Sequence, residues 1–435
     1  MKKFNNSLSM LTCYIVLSTG IAAADTSPTT LTTFKAGETI KANEMNGNFS
    51  YLERLANSST TPNNQAITLD IDCASNADAL NDYFANPGSE RFVSLTLTGT
   101  CAGDGNAELV ISRDNIKITG GSIDSLIKVV GKQDVNIIGT SILGNTDSNR
   151  AAFIDAGSAV YFENNTYPAG SELLATGTSS IVYNDDVDGL KFVATLSSRL
   201  FFFSPEGKAQ LILLDTASSM EYTNLSSAEL TASNASGFKH LGEGSLLVDN
   251  LRIRTNAGGT VYNASMANEL DLFNNGGLLI EGDLRADTVY IGSSSSLGGN
   301  TMTANNIELE GNASIDVDAI GTLNDPVAEL TLRSGSSLWT KQVYADKVEL
   351  QSAKVDAANF TINSALFVRN ASVISNESFV LGSTASSNSD FGGFSYFELA
   401  YPIDAMCNNF NRYANVDGWS FASNKGFPND CPNMN

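Results

Sequence analysis

Histidine is almost missing from this chain: His240 is the only one among 435 residues. It follows Lys239 in a Gly-flanked stretch and reads as a turn or surface residue rather than a general base. No serine stands in a G-x-S-x-G setting, which excludes a hydrolase nucleophile elbow. Basic residues are scarce, 25 Lys and Arg against 47 Asp and Glu. Clustered cations are what neutralise phosphates, so a nucleic-acid partner is not expected. No apolar run is long enough for a spanning helix, and no transmembrane segment is expected. The five cysteines show no CxxC spacing and stand far from His240, which argues against a Cys/His metal site.

What is present begins at the N-terminus. Lys2 and Lys3 precede an apolar run from Leu8 to Leu17, and Ile21-Ala22-Ala23-Ala24 follows before Asp25. A charged start, a short apolar core and a small-residue site predict a signal peptide over 1–24. Its removal leaves 23 basic and 47 acidic residues, a net charge of about −24. That charge suits a soluble exported chain and leaves room for loosely held divalent cations.

Residues 25–57 contain a different pattern. Ala42, Met45, Phe49, Leu52 and Ala56 recur at spacings of 3, 4, 3 and 4, about two heptads of an amphipathic helix. Ser58 to Gln65 reads as a linker.

The stretch from Leu69 to Gly120 organises the rest. A short apolar strand ends at Cys73. A helix-like segment carries Ala79, Leu80, Tyr83 and Phe84 on one side, and Asn86-Pro87-Gly88 ends it. A second strand alternates Val93, Leu95 and Leu97 with Ser94, Thr96 and Thr98, and runs to Cys101. Asp72-Cys73, then Leu97-Thr98-Gly99-Thr100-Cys101, then Ser112-Arg113-Asp114-Asn115 together resemble the N-terminal cap of secreted bacterial right-handed parallel β-helix proteins of the pectin-lyase-like superfold. The likeness covers roughly the first quarter of the exported chain. It implies a fold and leaves activity open, because this superfold carries lyases, hydrolases, adhesins and phage spikes alike. The phrase from Phe34 through Asn48-Phe49 to Leu52 resembles a segment near the N-terminus of exported proteobacterial surface and tail-fibre-like proteins. That likeness implies a Gram-negative source, a secreted or cell-surface location, and self-association as a homo-oligomer, a trimer included.

Repeats support the coil. Leu97-Thr98-Gly99, Ile118-Thr119-Gly120 and Ile137-Ile138-Gly139 are related apolar-x-Gly strand ends at near-equal intervals. Ala286 to Ile291, Ala304 to Leu309 and Ala345 to Leu350 share an Ala-x-x-apolar-x-apolar pattern, the second interval about twice the first. The underlying repeat of about 20 residues suits three short strands with their turns, and no sustained helical period intervenes as a βαβ sheet would need. The expected fold is all-β: a right-handed parallel β-helix over 66–391 of roughly 14 to 15 turns, with an N-terminal capping helix and the short amphipathic helix before it. A two-sheet sandwich is the alternative. The aromatic tail 392–435 would cap the far end. Four cysteines in the exported chain admit three disulfide connectivities. The local pairs, Cys73–Cys101 and Cys407–Cys431, are preferred because they place one staple at each end of the coil.

Chemistry is thinly marked. The densest acidic cluster, Asn184-Asp185-Asp186-Val187-Asp188-Gly189, resembles part of a Ca²⁺ loop and makes Asp185, Asp186 and Asp188 the candidate metal ligands. It lacks the distant Glu and the full D-x-D-x-D-G spacing, and a polar turn is the preferred reading. No cofactor beyond Ca²⁺ is suggested. Phe201-Phe202-Phe203, Trp339 and Trp419 are each either core or an exposed carbohydrate platform. No residue stands out as catalytic. The preferred function is an exported structural or adhesive surface protein that contacts polysaccharides, cell-surface glycans or copies of itself. The alternative is a polysaccharide lyase or glycoside hydrolase, which would need converging carboxylates beside Lys or Arg.

Overall fold

The computed structural model describes residues 66–381 apart from 104–107, 146–147 and 204, together with the backbone of the strands Asp390–Gly392, Ser395–Leu399 and Trp419–Ala422. The signal, amphipathic and linker segments (1–65), most of the C-terminal tail, the Cys407–Cys431 pair and the side chain of Trp419 lie outside the described residues. Strict alternation dominates what is described. In Ser180–Asn184, Ile181 and Tyr183 are fully buried while their neighbours face outward, the period of a strand with one core face. Such strands make up about 65 % of the structure, wound into a parallel β-solenoid of about 15 turns with one short helix. Among the described residues every ladder between two strands is parallel, which rules out the sandwich; the one antiparallel contact is the isolated bridge Asn145 to Arg150.

One turn shows the plan. The strand Gly277–Ile291 bends twice, so that residues 277–280 lie in a first sheet, 283–286 in a second and 288–291 in a third. Residues 292–295 then turn the corner into the next strand, Ser296–Leu309, which repeats the course in register. Along the first sheet the inward partners are Ile181, Leu200, Met220, Phe238, Gly259, Leu278, Leu297 and Ile315, each one turn beyond the last. No single turn can bury its apolar side alone; stacked, the turns share one core.

The repeats read from sequence map onto this frame with one shift. Ile118 pairs with Ile137, and Ala286 with Ala304, each one turn apart. Ala345 pairs with Val327, so the longer gap from Ala304 spans two turns. Ile118 sits beside Leu95 rather than Leu97, because the strand Phe92–Thr98 runs on past the point where Ile116–Thr119 ends.

The corner between third and first sheets holds what sequence reasoning missed. Turn after turn, two successive residues adopt left-handed backbone: Leu196 and Ser197, Thr216 and Ala217, Asn274 and Asn275, Ser293 and Ser294. Each non-glycine residue held there costs on the order of 1 kcal/mol. The cost is met by a further ladder, in which Ser197 N donates to Thr216 O (2.9 Å), Ala217 N to Asn234 O (2.9 Å) and Asn275 N to Ser293 O (3.1 Å). A small residue must follow, since it points inward at the tightest part of the coil. Ser158, Ser179, Ser198, Ser218, Ser236, Ser295 and Ser336 fill that place and are all buried. Several donate back to the turn itself, as Ser198 Oγ does to Thr195 O at 2.7 Å.

The cap explains its own motif. Helix α1 (Ala79–Ala85) buries Leu80 and Phe84 over the first turns. A disulfide joins Cys73 to Cys101, with their Cα atoms 4.9 Å apart. Thr98 Oγ1 donates to the Asp72 carboxylate at 3.2 Å. Gly99, at φ +78°, leaves no room for a side chain, since a Cβ would meet the Ala74 backbone at 2.5 Å. Ser112 Oγ donates to Phe84 O at the end of the helix (2.7 Å), and the Arg113 guanidinium reaches Tyr83 Oη (2.8 Å) and the carbonyls of Gly88 and Glu90. Asp114 accepts from Gln133 N (2.7 Å) in the next turn, and Asn115 takes a left-handed φ of 53°. Ser112 and Arg113 thus build the cap, while Asp114 and Asn115 shape the corner that follows it.

Where the second sheet thins to isolated bridges, between Thr166 and Ala209, aromatics fill the gap. Tyr183 and Phe192 centroids are 4.8 Å apart, and Phe192 and Phe202 4.9 Å, both edge-on. Of the Phe201–Phe203 run, Phe202 belongs to this core, Phe201 is half-buried on the outer face and Phe203 is exposed.

Volume matching across turns gives a direct test. Phe238 lies beside Gly259 in the first sheet, and a Cβ on Gly259 would fall 2.2 Å from the Phe238 ring. Gly259→Val should cost about 1–3 kcal/mol by overpacking. Combined with Phe238→Ala it should cost less than the two single changes summed, read as urea midpoints; strict additivity would show the two sites do not share space.

Candidate functional site

The outer face of the first sheet loses its side chains over five turns. Ser219, Gly237, Gly258, Gly277 and Ser296 stand in register at one outward position. Two positions further along each strand come Glu221, Lys239, Thr260, Leu279 and Gly298. With nothing larger than serine in the first row, a trough of about 710 Å³ opens along the coil, about 19 Å long at the usual strand separation. Its backbone amides are engaged in the sheet, so its floor offers mainly apolar surface. Glu221 and Lys239 bring one charge of each sign to one end, and Leu279, 47 % exposed, forms part of the other.

The same row continues from Gly298 through Asp316 to Trp339. Trp339 is 39 % exposed, and the Lys354 ammonium lies 5.9 Å from its ring centroid. An indole face set about 10 Å beyond the trough, two strand separations on, suits stacking against an apolar sugar face. Sequence left Trp339 undecided between core and platform, and the structure puts it outside.

The acidic cluster does something else. Both oxygens of Asp185 accept the backbone N–H of Asn165 (2.9 and 2.8 Å), and the Asn165 side-chain amide adds a third bond at 3.2 Å. Asn165 in turn donates to Ile137 O (2.8 Å) and accepts from Thr140 N (3.0 Å). Asp186 accepts from Asp188 N at 2.9 Å, and Asp188 faces Lys208 N at 3.4 Å. Asp185 and Asp188 thus tie neighbouring turns together, while Asp186 braces its own turn. Among the described residues, no group of three or more His, Cys, Asp or Glu is arranged to hold a metal.

His240 is more enclosed than a surface residue would be, its side chain 10 % exposed, with Nε2 3.2 Å from Glu281 two turns on. The basic residues are largely paired across turns: Lys128 with Glu108 (3.1 Å), Arg150 with Glu172 (2.7 Å), Arg252 with Glu229 (2.6 Å) and Lys347 with Glu329 (2.7 Å). Charge is therefore spread along the coil. Such exposed pairs contribute little stability each, but they keep like charges off adjacent strands.

No protein-family model, no curated protein and no solved structure matches this chain. The likeness to pectin-lyase-like caps rests on residues that build the cap, and it carries no information about the trough.

Burial pushes the Asp185 carboxyl up to about 6 from an ordinary 3.8, with the Asn165 N–H bonds holding it back. The folded protein then keeps a proton that the unfolded chain releases, and stability falls as pH rises through this interval. This contribution is fully present below the ordinary carboxylate value and is lost as pH rises through the folded one. Between pH 5 and 7 the thermal midpoint should drop, and Asp185→Asn should flatten that drop; an unchanged pH slope in the variant would count against it.

Proposed function

We propose that this chain is an exported, disulfide-capped β-solenoid of the cell surface or medium, structural or adhesive in role, that lays a polysaccharide along the trough of its first sheet. The observation that carries the reading is the alignment of a glycine- and serine-floored trough with the exposed indole of Trp339 on one outer face. An extended glycan matches both the length and the chemistry: hydroxyls reach Glu221, Lys239 and Thr260, and an apolar sugar face meets the indole. The dispersal of carboxylates into inter-turn pairs supports binding over turnover, since a hydrolase or lyase needs several of them convergent on one bond. The signal-like N-terminus, the cap motif that resembles pectin-lyase-like proteins, and the surface-protein-like segment at 30–56 fit the same reading. Self-association through that segment would multiply weak contacts into firm attachment.

The test mixes the purified protein with acidic and neutral polysaccharides, with and without Ca²⁺, and follows binding together with new reducing or unsaturated ends. Binding without product release is expected, weakened about tenfold by Trp339→Ala. Released product would overturn the reading in favour of a lyase or hydrolase.

A further inference from the structure

The turn from Ile315 to Leu338 is five positions longer than the turn before it, from Leu297 to Ile315. The surplus lies at 321–326, between the strands Ser314–Ile320 and Val327–Arg333. This loop closes on itself, Thr322 N donating to Asp325 O (3.0 Å) and Asp325 N to Thr322 Oγ1 (3.0 Å). It reaches back over the outer face of the second sheet, where Asp325 Oδ2 meets Arg285 Nη2 at 3.6 Å.

Arg285 is the middle of Asp283-Leu284-Arg285-Ala286-Asp287. Leu284 and Ala286 are buried, so alternation sends Asp283 and Arg285 outward, about 7 Å apart, and Asp287 is exposed at the bend into the third sheet. A cavity opens on either side of the Arg285–Asp325 contact. One, of about 410 Å³, is lined by Asp283 and Thr322; the other, of about 290 Å³, by Asp287 and Asp325; Arg285 and Thr303 belong to both. Asp325 offsets Arg285, and each cavity is left with one further carboxylate among hydroxyl and amide groups. Asp287 is oriented by Asn305 Nδ2 (2.6 Å) from the next turn.

We propose that this cleft is a second glycan subsite, and that it takes a sugar chain bearing free amines. The proposal rests on the glycan-binding reading above and goes beyond it by naming a ligand charge. Hydroxyls pair with Thr303 and Arg285. A protonated amine in each cavity meets Asp283 or Asp287, which turn away a uronate chain by like-charge repulsion. The loop, anchored by Asp325 on Arg285, separates the two sugar positions.

The decisive measurement is calorimetric titration with a glucosamine hexamer and with its fully N-acetylated counterpart at physiological salt. The amine form should bind about tenfold tighter or more. Asp283→Asn with Asp287→Asn should abolish that preference, whereas Asp70→Asn with Asp124→Asn, which removes the same charge from exposed positions elsewhere, should not. Circular dichroism should show the same fold for each variant. Equal binding of the two hexamers, no binding of the amine form, or an equal loss in the Asp70/Asp124 variant would overturn the proposal. Amine-form binding lost with Trp339→Ala yet indifferent to Asp283 and Asp287 would overturn it while leaving the trough reading intact. A preserved amine preference without any binding dependent on Trp339 would do the reverse.

Discussion

The structure depends on one constraint: every turn must close at the same corner, in register with the turns on either side. Three parallel sheets supply most of the hydrogen bonds, but they cannot by themselves fix where a strand ends. The corner does, in most turns by holding two left-handed residues and then a small buried one. Because Ser197, Ala217 and Asn275 each donate to the following corner, the strained backbone of one turn is held by its neighbour. A corner alone would relax; stacked corners cannot.

That constraint explains which parts of the fold were legible. Alternation of Val93, Leu95 and Leu97 announced a strand, and the spacing of Ala286 and Ala304 announced a coil, because the core selects apolar residues of one face strictly. The cap was legible for a sharper reason: Thr98, Gly99, Ser112 and Arg113 each hold a specific partner, so their identities are narrowly set. The corners were opaque. Leu196 and Thr216 are unusual in left-handed backbone, and nothing local marks them for it. Their conformation comes from the turns above and below.

The candidate sites were less legible still. A trough made by Gly237, Gly258 and Gly277 is a shape caused by missing atoms, and it emerges only when positions one turn apart are set side by side. The Asp283-Leu284-Arg285-Ala286-Asp287 stretch reads as ordinary surface charge until a loop from two turns later is folded over it. Conversely, Asp185, Asp186 and Asp188 draw notice because they are adjacent in sequence, although a polar turn is their preferred reading, and in the structure they accept from backbone amides. Proximity along a solenoid chain is a poor guide to function, since a site is assembled across turns.

The 321–326 loop shows what such a coil tolerates. A handful of extra residues enters one turn, and the first-sheet register beyond it, from Leu338 to Val355 and Val373, continues undisturbed. Length along the axis and decoration at the rim are therefore separate variables. Adding a whole turn would move whatever the far end carries outward by one strand separation, about 4.8 Å, without altering any existing corner. A protein built this way is a ruler with replaceable markings: gene segments coding for whole turns set its reach, and shorter insertions set what it touches along the way.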